Sequence, residues 1–143
     1  MRNIRQTALV PFSAESVFEV VNDIDSYPCF LPWCSGSMVL SRSSTEIVAR
    51  LDISAAGIKQ SFTTINRVVP FERIELSLLR GPFTKLDGCW KFTTISNLGC
   101  KVELALSFDL GTSFLETPLS RMFDKSAEKL VDAFCARVEQ QNS

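Results

Sequence analysis

The 143-residue sequence predicts an α+β fold in which a curved antiparallel sheet of about seven strands wraps one long C-terminal helix. Three observations lead there. Apolar and polar residues alternate with period two over residues 3 to 10 and again over 35 to 110. A helix start signal lies between the two stretches. From Leu119 to Val138, apolar residues recur every three or four positions.

Residues 3 to 10 read as the first strand. Pro11-Phe12-Ser13-Ala14-Glu15 then opens a helix over 14 to 23, with Ser13 as N-cap and Glu15 suited to the positive end of the helix dipole. Phe12 and Val17 form a hydrophobic staple, and Val17, Phe18, Val20, Val21 and Ile24 give the helix its apolar face. Pro28 and Pro32 cannot both sit inside a helix, so the segment from Asp25 to Cys34 reads as one helical turn followed by an irregular loop. Breaks at 41–45, 56–57, 70–71, 81–82 and 97–99 divide the next stretch into a six-stranded meander. In it Ile47, Ala49, Leu51 and Ile53 share one face, opposite Glu46, Arg50 and Asp52. Each strand has one wet face, as in an antiparallel sheet covered on one side.

The cover is the C-terminal stretch, where Leu119, Met122, Phe123, Ser126, Ala127, Leu130, Phe134 and Val138 recur every three or four residues as one inward stripe. Thr117 suits an N-cap and Pro118 the first helical position, or the chain turns helically from Ser113 and bends at Pro118. A helix over 118 to 141 is about 36 Å long, against about 33 Å for a ten-residue strand, so it spans the sheet. Small residues (Ala55, Ala56, Gly57, Gly88, Ala105) are expected to leave room between the layers. A ligand cavity and a solid core both fit this pattern.

Composition excludes several functions. The chain has no histidine, which removes Ser-His and Cys-His nucleophile systems and the commonest metal ligand. Five scattered cysteines read as reduced, buried thiols rather than a disulfide framework or metal site, with a Cys29/Cys34 redox pair as the minority reading. Fifteen basic against sixteen acidic residues give a net charge of −1, so any nucleic-acid contact needs a local patch. Arg42, Arg50, Arg67, Arg73, Arg80 and Lys85 offer one, but interleaved Glu46, Asp52, Glu72 and Glu75 favour a solvated mixed-charge face. Asp23, Asp25, Glu75 and Asp109 are the carboxylates that acid/base chemistry would draw on. No apolar run approaches the ~20 residues of a membrane-spanning helix, and no signal peptide is read, so the expected location is the cytoplasm or the periphery of an inner membrane.

Two aromatic sets stand out: Tyr27, Phe30 and Trp33 around the double-proline segment, and Phe83, Trp90 and Phe92 after Gly81-Pro82. They line a pocket for an apolar ligand or fill the core. The strings Val10-Pro11-Phe12-Ser13-Ala14-Glu15, Asp25-Ser26-Tyr27-Pro28, Phe30-Leu31-Pro32-Trp33-Cys34 and Gly81-Pro82-Phe83 leading to Trp90-Lys91-Phe92 carry more. They resemble, in the same order and through nearly the whole chain, the coenzyme Q-binding branch of the START and polyketide-cyclase-like superfamily, including its bacterial ribosome association toxins.

That resemblance implies a helix-grip (START-like) fold over residues 1–143 as a single domain. It implies a site formed by Phe30, Leu31, Trp33, Phe83, Trp90 and Phe92 with the inner face of the last helix (Leu115, Leu119, Met122, Phe123) and the inward sheet residues Phe62, Leu76, Leu78 and Leu106. Pro118 departs from the continuous helix the family implies. The leading reading is a non-enzymatic binder of a ubiquinone-like polyprenyl lipid that supports respiratory electron transport. No cofactor is required, DNA is not a partner, and membrane contact is transient. The alternative is a toxin-like factor that binds the large ribosomal subunit and blocks subunit association. A polyketide cyclase or dehydratase comes third, since it would need polar groups inside the pocket and none is placed there.

Overall fold

The computed structural model describes residues 2–111 and 117–142. Seven antiparallel strands form one sheet: β1 (Arg2–Val10), β2 (Cys34–Arg42), β3 (Glu46–Ala55), β4 (Ile58–Val69), β5 (Arg73–Arg80), β6 (Phe83–Ser96) and β7 (Gly99–Leu110). Their order is β1-β7-β6-β5-β4-β3-β2, so the meander from β2 to β7 is closed by the first strand docking on the last. Inward positions alternate along each strand. In β7, Val102, Leu104, Leu106 and Phe108 are all buried, between residues that keep partial contact with water.

The meander is bent at register shifts. In β4, Thr63 pairs with Arg80 and the adjacent Thr64 with Leu78, so Leu79 has no partner and is turned outward. Further shifts lie in β2 at Cys34/Gly36 and Val39/Ser41, and in β6 at Phe83/Lys85 and Thr94/Ser96. Such bulges increase the local twist and curl the sheet over whatever packs in its concave face.

Helix α1 (Ala14–Asn22) begins where Ser13 Oγ accepts from the Ser16 N–H at 3.1 Å, and buries Val17, Phe18, Val20 and Val21. A 3₁₀ segment, Ile24–Cys29, contains Pro28 and carries the chain to β2. Ser37 Oγ ties the two by donating to the Ile24 carbonyl at 2.8 Å.

The long C-terminal helix is not continuous. It is two helices, α2 (Pro118–Ala127) and α3 (Leu130–Gln141), separated by Glu128 and Lys129. Pro118 is at the start of α2, capped by Thr117, whose hydroxyl accepts from the Ser120 N–H at 3.1 Å. The Pro118 reading therefore holds, and the discontinuity lies ten residues further on. The expectation of helix from Ser113 falls outside the described residues.

Its cause is Gln6 of β1. In an unbroken helix the Val131 N–H would donate to the Ala127 carbonyl. The Gln6 side-chain amide takes both groups instead: its Nε2 donates to Ala127 O at 3.1 Å and to Glu128 O, and its Oε1 accepts from Val131 N at 3.0 Å. A side chain inserted in the ladder is a recognised source of sharp kinks. Arg2, four residues earlier on the same strand, pairs with Asp124 and Glu128.

The Gln6→Leu substitution is expected to leave the Ala127, Glu128 and Val131 backbone groups unpartnered and to cost about 1–3 kcal/mol. Thermal denaturation should show a lower Tm, with faster amide exchange centred on residues 127–131. An unchanged Tm and exchange pattern would remove Gln6 as the support of the break.

Candidate functional site

Between the concave face and the two C-terminal helices lies a cavity of about 90 Å³. That is room for several water molecules and well below the roughly 300–1,000 Å³ of pockets that enclose drug-sized ligands. Its walls come from the 3₁₀ segment, five strands and both helices. They are almost wholly apolar.

Two phenylalanines, one from each helix, organise the aromatic residues around it. Phe123 of α2 meets Phe83 at 5.0 Å, Phe108 at 4.9 Å, Trp33 at 6.3 Å and Phe62 at 6.4 Å between ring centroids. Phe134 of α3 meets Trp90 at 5.1 Å, Tyr27 at 5.2 Å and Phe30 at 5.3 Å. The two sets grouped by sequence are thus re-sorted: Trp33 joins the rings after Gly81-Pro82, and Trp90 joins those of the double-proline segment.

Of the candidate residues, Trp33, Phe62, Leu76, Trp90, Leu106 and Phe123 border the cavity. The others pack around it. Leu31 and Leu119 are buried in the core. Phe83 packs on Phe62, Phe108 and Phe123. Phe92 is sandwiched between Phe18 and Trp90, and Leu78 is partly buried against the core. Phe30 is half-buried with the Arg137 guanidinium 5.2 Å over its ring. Met122 is partly buried and borders an outer groove on α2. Leu115 lies outside the described residues.

Several wall residues were missed, above all Thr64, Asn66, Ser126 and Phe134. Parity held the signal for two of them, because Thr64 and Asn66 continue the inward series of Phe62 and Val68. The hydrophobic pattern hid them because they are polar. The small residues also sort differently from expectation. Ala56 and Gly57 sit in an exposed turn and Ala105 lies on the outer face, whereas Ala55 is partly buried against the core and Ala49, opposite Thr64, and Gly88 face inward. Gly88 leaves no void, since a Cβ there would lie 3.1 Å from Leu76 and Leu106 atoms. Gly81 (φ +149°) is needed for close approach: a Cβ would stand 2.5 Å from that of Phe62.

Charge is kept to the outside. On the convex face, Arg50–Asp52, Arg73–Glu75, Lys85–Asp87 and Lys101–Glu103 pair along their own strands, at 2.9–3.8 Å. This agrees with a mixed-charge face rather than a basic patch. Asp23 accepts from Ser26 Oγ at 2.6 Å, and none of Asp23, Asp25, Glu75 and Asp109 borders the cavity. The phenol of Tyr27 does, but it donates to the Val21 carbonyl, and burial, followed by Cys34 and Asp23, raises its pKa. Outside, Arg121, Lys125 and Lys129 follow one another at four-residue spacing along the helices and rim a shallow groove with Met122 and Ser126. Ser126 borders both groove and cavity.

A seven-stranded antiparallel sheet curved around C-terminal helices, with an apolar hollow between them, defines a helix-grip protein of the START-like class. The family described as polyketide cyclase / dehydrase and lipid transport matches residues 10–135, and the chain belongs to it. It is 44% identical over 140 residues to the ribosome association toxin RatA of Vibrio cholerae serotype O1, covering 98% of this chain and 97% of the relative. It is 25% identical over 133 residues to the mitochondrial coenzyme Q-binding protein COQ10 homolog B of Xenopus laevis, covering 90% of this chain and 54% of that one. The crystal structure of the Zhui aromatase/cyclase of a Streptomyces species superposes with a TM-score of 0.83 at 21% identity, covering 99% of this chain and 96% of that one, a likeness of fold alone.

The described cysteines are all free. Cys34 is buried and its thiol is pushed up to about 11, first by desolvation and then by Asp52, against a hydrogen bond to Gly36 that lowers it. Cys135 is likewise raised to about 11, chiefly by burial. Since only the thiolate reacts, iodoacetamide at pH 8 should label exposed Cys29 first and spare Cys34 and Cys135. The raised values also carry a sign: the unfolded chain ionises near pH 9 before the folded one, so these two thiols lower stability as pH rises from 9 towards 11. Mass mapping of the labelled peptides checks the order, and rapid labelling of Cys34 at pH 8 would overturn it.

Proposed function

We propose that this chain is a non-catalytic ribosome-associating factor of the toxin type, which binds the large subunit and blocks its joining to the small one. The observation that carries the reading is 44% identity to a ribosome association toxin along practically the full length of both chains. A cavity whose described walls hold no carboxylate, cation or thiol supports a binding role over acid/base catalysis. The paired charges of the convex face direct phosphate contact to the helical side, where Arg121, Lys125 and Lys129 form a basic stripe. Such a factor works where ribosomes are, in the cytoplasm, and no helix among the described residues is long and apolar enough to cross a membrane.

A second reading is favoured by the cavity itself. Trp33, Phe62, Trp90 and Phe123 offer an apolar ligand a ring-lined hollow, in line with the coenzyme Q-binding name of the Xenopus relative. The volume admits the ring or tip of such a molecule, and a polyprenyl chain would have to leave through the wall or displace side chains.

For the first reading, the purified protein is expected to sediment with large subunits at low salt and to release progressively as salt rises. The Lys125→Glu/Lys129→Glu double variant should weaken binding and reduce the slope of log affinity against log salt by about 1.5–2. Absence from the large-subunit fraction at every salt removes the proposal. Full binding by the double variant moves the contact elsewhere on the surface. For the second reading, organic extraction of the protein should yield an apolar compound near one per chain, and an empty extract, with no apolar ligand taken up afterwards, would sink it.

A further inference from the structure

The cavity contains a polar group that the apolar-ligand reading does not by itself require. Thr64 and Asn66 are only 6% and 8% exposed, and both border the hollow. Thr64 Oγ1 donates to Asn66 Oδ1 at 2.9 Å. With Thr64 donating to the amide oxygen, the other end of the group is the NH₂. Within the described residues that NH₂ has no hydrogen-bond partner, and it is not sealed off from the hollow. Two N–H donors are therefore held, pre-oriented, at the surface of an otherwise apolar cavity.

The backbone accounts for the placement. Asn66 sits opposite Ile47 of β3 and Leu76 of β5, and Thr64 opposite Ala49 and Leu78. The ladder satisfies the main chain on both sides, so the amide has no structural duty there. A donor with no protein partner beside such a hollow is met by water or by a ligand. Its natural complement is an acceptor. The walls hold no cation, so an anion would be buried without a counter-charge, whereas a neutral carbonyl oxygen meets the donor at no such cost.

We propose that Asn66, oriented by Thr64, is a hydrogen-bond donor subsite that selects a neutral apolar ligand carrying a carbonyl oxygen. The inference rests on the apolar-ligand reading of the cavity and goes beyond it by naming the feature such a ligand must have. Thr64 is a positioning residue in this arrangement. Ser126 borders the hollow from α2, on the helical side.

Acetophenone and ethylbenzene test it, since they share a ring and two-carbon arm and differ at the carbonyl. Each is titrated into the ¹⁵N-labelled full chain and followed by NMR. The Asn66 side-chain amide resonances are expected to move with acetophenone and to stay in place with ethylbenzene. In Asn66→Leu, the ratio of ketone to hydrocarbon affinity should fall about tenfold, and in Thr64→Val by a smaller factor in the same direction. If Asn66→Leu does not fold, the amide shifts of the unmodified chain decide alone. Binding of both probes with a still Asn66 amide, or with a ratio unchanged by Asn66→Leu, overturns the subsite and leaves the apolar cavity standing. Failure of both probes to bind overturns the subsite and the apolar-ligand reading together.

Discussion

Everything around the cavity depends on one side-chain amide in the first strand. Gln6 occupies the rung of the C-terminal helix that Ala127 and Val131 would otherwise share, and so turns a single rod into two helices. Phe123 lies before the break and Phe134 after it, and each gathers its own set of rings from the sheet. Ala127 and Leu130, on either side of the interruption, are themselves part of the cavity wall. The hollow sits where the helical cover changes direction, with β1 fixing where that happens. Because β1 pairs only with β7, the docking of the first strand on the last also closes the helical layer.

The distribution of polarity separates two kinds of surface. On the convex face, basic and acidic residues two apart on the same strand neutralise one another; exposed pairs of this sort contribute little to stability. They do cancel the local field that would draw in a polyanion. The stripe on α2 and its continuation is the place where basic residues gather. Ser126 connects this stripe to the interior, so a ligand in the hollow and a partner on the helices would meet the same turn of α2.

The interior is selective by the same logic. Aromatic and aliphatic walls reward any apolar group, and such surfaces discriminate weakly between ligands of similar shape. Discrimination enters with the Thr64–Asn66 pair, because a donor that finds no acceptor penalises a bare hydrocarbon.

The strands, the first helix with its Ser13 cap, and the start of the last helical segment at Thr117-Pro118 were all legible in the sequence, because they rest on local patterning and capping chemistry. The family was legible too, from strings around the two prolines and the Gly-Pro-Phe turn. The helical stripe carried no sign of the break at 128–129, since it stays apolar through that point and the cause is a glutamine more than 120 residues away. Nor did pattern reveal which aromatic rings meet, or that Thr64 and Asn66 turn polar groups into an apolar hollow. Periodicity decides which side of a strand or helix faces inward. Contacts between distant elements, and therefore the shape and chemistry of the space they enclose, are settled only when the sheet curls and the two ends of the chain come together.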